Sequence, residues 1–217
     1  SAIIATAEAA RKIVCSGGIP SALSYSKGFN NYSEAENFEE TLNNICHSLG
    51  LTAIKIGNNY CHLIASKNKL PQIFEPTICV TGVLPEKVQL LTMSFKHKGD
   101  LIYLIGEAKN DISSSQYLIN EYGIDDSPMP DFDYISEALL YESITELNRK
   151  KILSSAHSVS KGGLFTALAE SSFTNKLGFD ITTDCEIRTD AFLFGESQSR
   201  ALVSVNSDNE TEFIDYL

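Results

Sequence analysis

The sequence predicts an α/β or α+β fold, in which helices and strands interleave along the whole chain. Residues 33–49 carry apolar side chains at helical spacing, whereas short apolar or alternating runs at 51–56, 77–84, 101–106 and 201–205 are typical of strands. Glycine and proline residues separate these segments. Because the two patterns alternate without a long series of parallel strand–helix units, the class is α/β or α+β.

Two helices are predicted in the first part of the chain. Residues 2–14 are rich in alanine and have one apolar side, and the glycine pair at 17–18 is a C-cap signal. The second helix starts at Ser33, which forms an S-x-x-E capping box with Glu36. Its apolar face is expected to pack against the core and to carry no chemistry.

Strand-like runs lie between and after these helices. Residues 21–25 are expected to be extended, and 51–56 and 60–65 alternate as half-buried strands do. Gly57 and Asn58 separate the runs at 51–56 and 60–65, which indicates either a hairpin turn or a bulge that faces a ligand.

Pro85 is a natural boundary, after which the pattern starts again. A strand at 101–106, a short helix at 115–122 and a longer helix at 134–151 are predicted. The longer helix is expected to face the core with these residues: Ile135, Ala138, Leu139, Ser143, Ile144 and Leu147.

Two tight turns between residues 155 and 205 organise the second part of the chain. A polar loop at 155–161 turns at the glycine pair 162–163 into an apolar helix, and an apolar strand that ends at Gly195 leads into a polar segment. Glycine lets a backbone approach an anion or another segment closely, and a helix start supplies free N–H groups. The pattern therefore indicates either a phosphate-handling surface or two structural turns.

The densest polar group beside the second turn contains Glu196, Gln198 and Arg200. Glu196 and Arg200 either pair with each other, or Arg200 and the loop N–H groups hold a phosphate. His157 lies in a polar, glycine-rich setting and is expected to be a buried, hydrogen-bonded histidine, since a general base needs a partner acid or nucleophile. The sequence contains neither G-x-G-x-x-G nor G-x-x-x-x-G-K-[ST].

Composition limits the classes of function. A formal net charge of −11 argues against a general binder of nucleic acid or of membrane surfaces, which need a basic face. No apolar run approaches the ~20 residues of a membrane-spanning helix. The 5 scattered cysteines form no Cys-x-x-Cys pair, which argues against structural zinc and fits reduced thiols in a cytoplasmic protein. The chain starts and stops within helical patterns, so we expect a piece of a longer protein.

Two motifs stand out at the turns described above, H-S-V-S-K-G-G-L at 157–164 and L-F-G-E-S-Q-S-R at 193–200. They resemble motifs in the second half of the phosphoribosylformylglycinamidine synthase family, in the aminoimidazole ribonucleotide synthetase superfamily. The resemblance extends upstream to A-T-A-E-A-A-R-K at 5–12, to the Gly-Asn pair at 57–58 and to the F-K-x-x-G-D…G-E segment at 95–107. It covers nearly all of the chain.

This resemblance implies the latter part of an N-domain at 1–84 and most of an α/β C-domain at 85–217, truncated at its end. It implies an ATP-dependent C–N ligase that converts formylglycinamide ribonucleotide into formylglycinamidine ribonucleotide with glutamine-derived ammonia, in cytoplasmic de novo purine biosynthesis. The implied partners are the first-copy half of the same polypeptide and a glutaminase subunit or domain. The family's catalytic histidines belong to the first copy, so no catalytic residue is assigned here and the fragment alone is expected to be inactive.

ATP and Mg²⁺ are the cofactors that the resemblance implies. Gly57 matches a nucleotide-contacting position and Asn58 a magnesium-ligand position, and Asn supplies the hard oxygen that Mg²⁺ prefers. Gly162 and Gly163 are further candidates for cofactor binding. The candidates for contact with substrate or phosphate are Glu196, Ser197, Gln198 and Arg200.

Four positions depart from the family pattern. Tyr25 stands where the family has an ATP-contacting Asp, Tyr60 where it has a substrate-contacting Ser, and Ser158 and Lys161 replace two carboxylates. Because lost acids reduce the capacity for metal, the alternative is a non-catalytic structural half with a degenerate nucleotide site. A third, weaker alternative is a relative of selenophosphate synthetase or thiamine-phosphate kinase, against which the G-E-S-Q-S-R motif speaks.

Overall fold

A computed structural model of the chain describes residues 2–26, 32–50, 52–54, 77–86, 88–183 and 186–217. Within these ranges the strands form two separate three-stranded sheets, and helices pack against both. The predicted mixture of helix and strand is confirmed.

The first sheet and its helices belong to the N-terminal part of the chain. The elements are α1 (Ala2–Cys15), β1 (Ile19–Ser26), α2 (Tyr32–Ser48), β2 (Thr52–Ile54) and β3 (Thr77–Val83). Strand β1 is central, with β2 parallel on one side and β3 antiparallel on the other. The register shifts between Pro20 and Ala22, where proline has no N–H for the ladder.

The second sheet lies in the C-terminal part and is antiparallel in the order β4-β6-β5. Its elements and helices are β4 (Leu101–Ile105), α3 (Gln116–Tyr122), α4 (Tyr134–Arg149), β5 (Leu153–Ser158), α5 (Gly163–Phe173), α6 (Thr189–Phe194), β6 (Ala201–Val205) and α7 (Glu210–Tyr216). All five residues of β6 are buried, as a central strand covered on both faces requires.

Helix α1 joins the two parts. It contacts β1 and β3 of the first sheet, and also α4 and β5 of the second part. One buried cluster contains Ala7 and Leu23 together with Ile144 and Val203, so the two parts share a hydrophobic core. The boundary between 84 and 85 stays a prediction.

The predicted helix ends are well reproduced where capping residues set them. Ser115 caps α3 by accepting the N–H of Leu118, and Gly123 closes this helix in the left-handed region with φ 67°. Gly17, with φ 86°, likewise ends α1. The capping box of Ser33 and Glu36 lies outside the described side chains, although helix α2 itself is present.

The predicted inward face of α4 is confirmed at Ile144 and Leu147 and wrong at the start of the helix. Ile135 and Leu139 were expected in the core, but they are 70% and 56% exposed. The buried face contains Glu137, Leu140, Tyr141, Ile144, Leu147 and Asn148. The reason is electrostatic: Glu137 is drawn into the core by a buried arginine, which rotates the isoleucine and leucine toward solvent.

Two segments near the glycine turns also differ from prediction. The apolar run before Gly195 was predicted as a strand but forms helix α6, because so short an apolar run has no diagnostic period. The polar segment from Ser155 was predicted as a loop but forms part of β5. Its hydroxyls are small enough to be satisfied within the sheet, as in the 2.6 Å hydrogen bond between Ser155 Oγ and Ser204 Oγ.

Candidate functional site

The glycine pair at 162–163 lies between β5 and α5, as the sequence predicted. Both residues have positive φ, 81° and 69°. A Cβ on Gly163 would lie 2.7 Å from the carbonyl oxygen of Leu193 and 2.8 Å from that of Gly195. This glycine therefore permits a close approach to another segment, namely the end of α6. We call residues 195–200, which follow α6, the site loop.

Glu196 of the site loop lies at the turn for which the sequence left open a phosphate-handling surface or a structural role. Its Oε1 accepts the backbone N–H of Gly162 at 2.9 Å and that of Gln116, the first residue of α3, at 2.7 Å. A carboxylate at such N–H groups is favoured for the same electrostatic reason as a bound phosphate. The chain thus supplies its own anion at this turn.

Arg200 stabilises the site loop through hydrogen bonds to two of its backbone carbonyls. Its Nε donates to the carbonyl of Ser197 at 2.9 Å and its Nη2 to that of Gly195 at 2.6 Å, and the residue is fully buried. The guanidinium makes these hydrogen bonds to carbonyls, while its interaction with the Glu196 carboxylate is one between charges. Burial and, to a lesser extent, the positive charge of Arg11 lower the pKa of Arg200, while the negative charge of Glu196 raises it, and together they bring this pKa to about 10.

Two buried groups in the site loop lack partners among the described residues. These are Nη1 of Arg200 and the hydroxyl of Ser197. Ser158, at the end of β5, has a third such hydroxyl. Because buried polar atoms are normally hydrogen-bonded, ordered water is the ordinary partner for groups of this kind.

The site loop also forms one wall of an open cleft. The cleft has a volume of about 350 Å³, and the other walls come from the end of β4, from the loop before α4 and from α4 itself. Gln198 and Ser199 line it together with Glu107, Lys109 and Asp133. It therefore combines amide, hydroxyl, carboxylate and ammonium groups, which suits a polar ligand of mixed charge.

Behind the cleft, a buried ion pair links α1 to α4. Arg11 Nε and Nη2 donate to the two carboxylate oxygens of Glu137, each at 2.8 Å, and both side chains are fully buried. Burial alone lowers the pKa of Arg11, but the charge and hydrogen bonds of Glu137 outweigh this, so that the pKa lies above its ordinary value. Such a two-bond pair fixes both direction and distance.

His157 is half-buried and hydrogen-bonded, close to the prediction. Its Nε2 lies 2.7 Å from Oε2 of Glu170 on helix α5. The pair is on the β5–α5 unit, and a histidine that is already bonded to a surface carboxylate is oriented rather than free.

The nucleotide and metal candidates Gly57 and Asn58 lie outside the described residues, as do the side chains of Tyr25 and Tyr60. In the part of the chain that is described, no group of three His, Cys, Asp or Glu side chains is placed to hold a metal ion. No helix there is both long and apolar enough to cross a membrane. The assignments to Gly57 and Asn58 therefore stay predictions.

Sequence reasoning missed the residues that connect the site to the core. Arg11 was noted only as part of a motif, and Glu137 was not singled out. A signal was present for each: Arg11 lies on the apolar side of α1 between Ala7 and Val14, and Glu137 precedes Leu140 by one turn of α4. A charged residue on an apolar face points to a buried partner.

Comparison with known proteins identifies relatives for the whole chain. The family model described as "AIR synthase related protein, C-terminal domain" matches residues 97–217. The phosphoribosylformylglycinamidine synthase subunit PurL of Alkaliphilus metalliredigens is 31% identical over 212 residues, which are 95% of this chain and 28% of the relative. The PurL subunit of an Anaeromyxobacter species is 32% identical over 226 residues, covering 97% and 29%. The chain thus spans less than a third of these relatives.

Solved structures share the fold. Thermotoga maritima PurL complexed with FGAR superimposes with a TM-score of 0.70 at 16% identity, covering 99% of this chain and 36% of that one. Escherichia coli HypE, a hydrogenase maturation protein, gives 0.62 at 12% identity, covering 99% and 68%. At these identities the similarity is one of fold. The resemblance found in the motifs at 157–164 and 193–200 is confirmed.

Proposed function

The chain belongs to the family of AIR synthase related proteins, and on that premise we propose that it is the second half of a phosphoribosylformylglycinamidine synthase. The reaction is the ATP-dependent conversion of formylglycinamide ribonucleotide to formylglycinamidine ribonucleotide with glutamine-derived ammonia, in cytoplasmic purine biosynthesis. The observation that carries the proposal is the identity of 31% and 32% to two PurL subunits over nearly the whole chain.

Bound Mg-ATP would supply a phosphoryl group that turns the amide oxygen into a leaving group, so that ammonia could form a bond to the amide carbon while the oxygen departs as part of inorganic phosphate. In this chain, Gly57 and Asn58 are the candidates for contact with nucleotide and metal. The site loop, through Gln198 and Ser199, presents hydrogen-bonding groups to the cleft, where a phosphorylated ribonucleotide finds Lys109 as a cation. The chain's contribution is to bind and orient, and no catalytic residue is assigned to it.

The proposed partners follow from the same premise. They are a first-copy half in the same polypeptide and a glutaminase subunit or domain. The solved structure of PurLQS from Thermotoga maritima contains a chain that superimposes on this one with a TM-score of 0.67 over 99% of the present chain. We therefore place this chain within a multi-part synthase rather than as a free-standing enzyme.

A specific observation favours a second candidate, a structural half with no nucleotide of its own. The N–H of Gly162 is already bonded to Glu196, and Arg200 is buried against carbonyls. A phosphate at this turn has to displace an internal carboxylate, which costs the two hydrogen bonds that Glu196 makes.

Calorimetric titration with Mg-ADP and Mg-ATP distinguishes the two candidates. Heat of binding that disappears in Asn58→Ala but persists in the neighbouring Asn59→Ala supports a nucleotide-binding half, because the two variants lose the same amide one residue apart. Full-strength binding in Asn58→Ala removes Asn58 from the site. No binding to the unaltered chain supports the structural half.

The reaction itself is tested in the polypeptide that contains this chain. Formylglycinamide ribonucleotide, ATP and ammonia should yield ADP and the amidine product, with glutamine replacing ammonia when the glutaminase is present. ADP release that does not depend on formylglycinamide ribonucleotide contradicts the proposed substrate.

A further inference from the structure

Arg11 lies on α1, far in sequence from the site loop, yet its guanidinium contacts α4, the residue after β5 and the site loop itself. We propose that Arg11 is a positioning residue: it holds the site loop in the form described above, so that the docking of α1 and the filling of the cleft are thermodynamically linked. Three sets of contacts carry the proposal.

The first set fixes Gln198. Nη2 of Arg11 donates to Oε1 of Gln198 at 3.1 Å, and Nε2 of Gln198 donates to the carbonyl of Glu196 at 3.0 Å. Both ends of the amide are therefore engaged, and its orientation is determined. Because Gln198 lines the cleft, Arg11 sets the direction of a side chain in the cleft wall.

The second set fixes Ser199. Its Oγ donates to Oε2 of Glu137 at 2.6 Å, and that same oxygen accepts Nη2 of Arg11. Ser199 has φ 59°, in the left-handed region that residues other than glycine seldom adopt. Such a conformation persists only where the surroundings determine it, and here the Arg11–Glu137 pair does so.

The third set reaches the facing turn. Nη1 of Arg11 donates to the carbonyl of Val159 at 3.1 Å, while the N–H of Val159 donates to the carbonyl of Arg200 at 3.1 Å. The Gly162 N–H is joined to the same loop through Glu196. The Arg11 side chain of α1 thus connects the β5–α5 turn to the site loop through a buried network of hydrogen bonds. The bonds of such a network strengthen one another.

Linkage follows from these contacts. A ligand that uses Gln198 or Ser199 binds only while the site loop has the shape described above. Its apparent affinity is therefore its intrinsic affinity multiplied by the fraction of time that the loop has this shape. The identity of that ligand, a phosphorylated ribonucleotide, rests on the proposed function; the positioning of the loop does not.

Hydrogen exchange tests the positioning without a ligand. Arg11→Lys keeps a positive charge beside Glu137 but lacks the planar fork that reaches Gln198 and Val159 together. Exchange at the amides of Gly162 and Val159 should be roughly tenfold faster, the effect of losing one charge-assisted hydrogen bond. Ile144→Val is the matched control, since Ile144 lies in the same core on α4 and lowers overall stability without touching the network.

Equal exchange at Gly162 and Val159 in Arg11→Lys and in the control overturns the proposal. Glu137→Gln provides a second variant if Arg11→Lys does not fold, because it keeps the shape of the acceptor while removing its charge. It should accelerate the same two amides, and unchanged rates there count against the proposal in the same way.

A titration with formylglycinamide ribonucleotide then measures the linkage in the full synthase. Arg11→Lys should weaken binding by the ratio of two fractions, namely the fraction of time that the loop is correctly placed in the unaltered protein divided by the same fraction in the variant, and Ile144→Val should leave binding unchanged. Affinities that do not follow this ratio overturn the linkage. If the unaltered protein does not bind this ribonucleotide, the proposed function fails while the exchange result still decides the role of Arg11.

Discussion

The two fully buried arginines of this chain differ in what surrounds their charge. Arg11, at the junction of α1 and α4, has a carboxylate partner and a pKa above its ordinary value. Arg200, in the site loop, bonds to backbone carbonyls, has an unpartnered Nη1 among the described residues, and has a pKa lowered to about 10. Arg11 thus forms an ion pair that connects two parts of the protein, whereas Arg200 stabilises only the site loop.

This difference explains how the site can keep its shape while remaining polar. Removal of one member of a buried ion pair is costly because the other charge stays buried without a counter-ion. A charge that is held only by carbonyls is partly unsatisfied, so that its removal also relieves a desolvation cost. The two regions should therefore respond differently to the same substitution.

The largest effect is expected for Arg11→Met. Loss of the guanidinium leaves Glu137 buried without its counter-ion, so the free energy of unfolding should fall by about 3–5 kcal/mol. Urea denaturation measures it. Arg149→Met is the control, because Arg149 pairs with Glu146 on the solvent-exposed side of the same α4 helix and should lower the free energy of unfolding far less. Similar losses in both variants contradict the ion pair between Arg11 and Glu137.

Gly106→Ala should disturb the site loop next most strongly. A Cβ here would lie 2.1 Å from the carbonyl oxygen of Ser199, and the residue has φ 102°. Overpacking against backbone should cost about 1–3 kcal/mol in addition to the strain of the left-handed region. Gly99→Ala separates the cost of the steric contact from that of the backbone strain, because Gly99 has φ 91° but open space around it. Equal unfolding free energies of the two variants show that the contact does not matter.

Arg200→Met should cost less than Arg11→Met. Two hydrogen bonds to the carbonyls of Ser197 and Gly195 are lost, but an incompletely satisfied charge leaves the interior, so we expect about 1–2 kcal/mol. The same denaturation experiment measures this loss. A loss as large as that of Arg11→Met contradicts the distinction between the two arginines.

The smallest effect concerns alkaline pH and Cys15, one turn after Arg11 on α1. Burial raises the pKa of the Cys15 thiol to about 12. Since the unfolded thiol ionises near its ordinary pKa of 9.0, the unfolded state binds fewer protons above that pH and stability falls as pH rises. Between pH ~9 and ~10 the unaltered chain should lose about 1 kcal/mol more than Cys15→Ala, as followed by denaturation at each pH.

Equal pH dependence of the two proteins would show that the Cys15 thiol is not desolvated in the fold. The window stops at about pH 10 because the lowered pKa of Arg200 acts in the opposite direction above it.

The sequence predicted elements wherever local chemistry decides them. Ser115 and Gly123 mark the ends of α3 because capping depends on neighbouring atoms in the chain. The turn at 162–163 was located for the same reason: only glycine adopts positive φ without strain. These are short-range effects, and a single sequence contains them.

What depends on distant partners was not predictable in the same way. The buried face of α4 was misassigned at the start of the helix because Glu137 is stabilised by Arg11 on another helix. The turn at 162–163 was left open as a phosphate-handling surface or a structural turn, and the Glu196 carboxylate that lies there comes from a loop that only the fold brings to Gly162. The resemblance located the site loop, while the direction of Arg200 into the interior needed the structure.

A double-mutant cycle on Arg11 and Glu137 tests their ion pair most directly. The free energies of unfolding of Arg11→Met, Glu137→Leu and the double variant are compared with that of the unaltered chain. We predict that the double variant is more stable than the sum of the single losses implies by at least about 2 kcal/mol, because removing both charges leaves neither one uncompensated. Additivity within about 0.5 kcal/mol would contradict a direct, buried ion pair between α1 and α4.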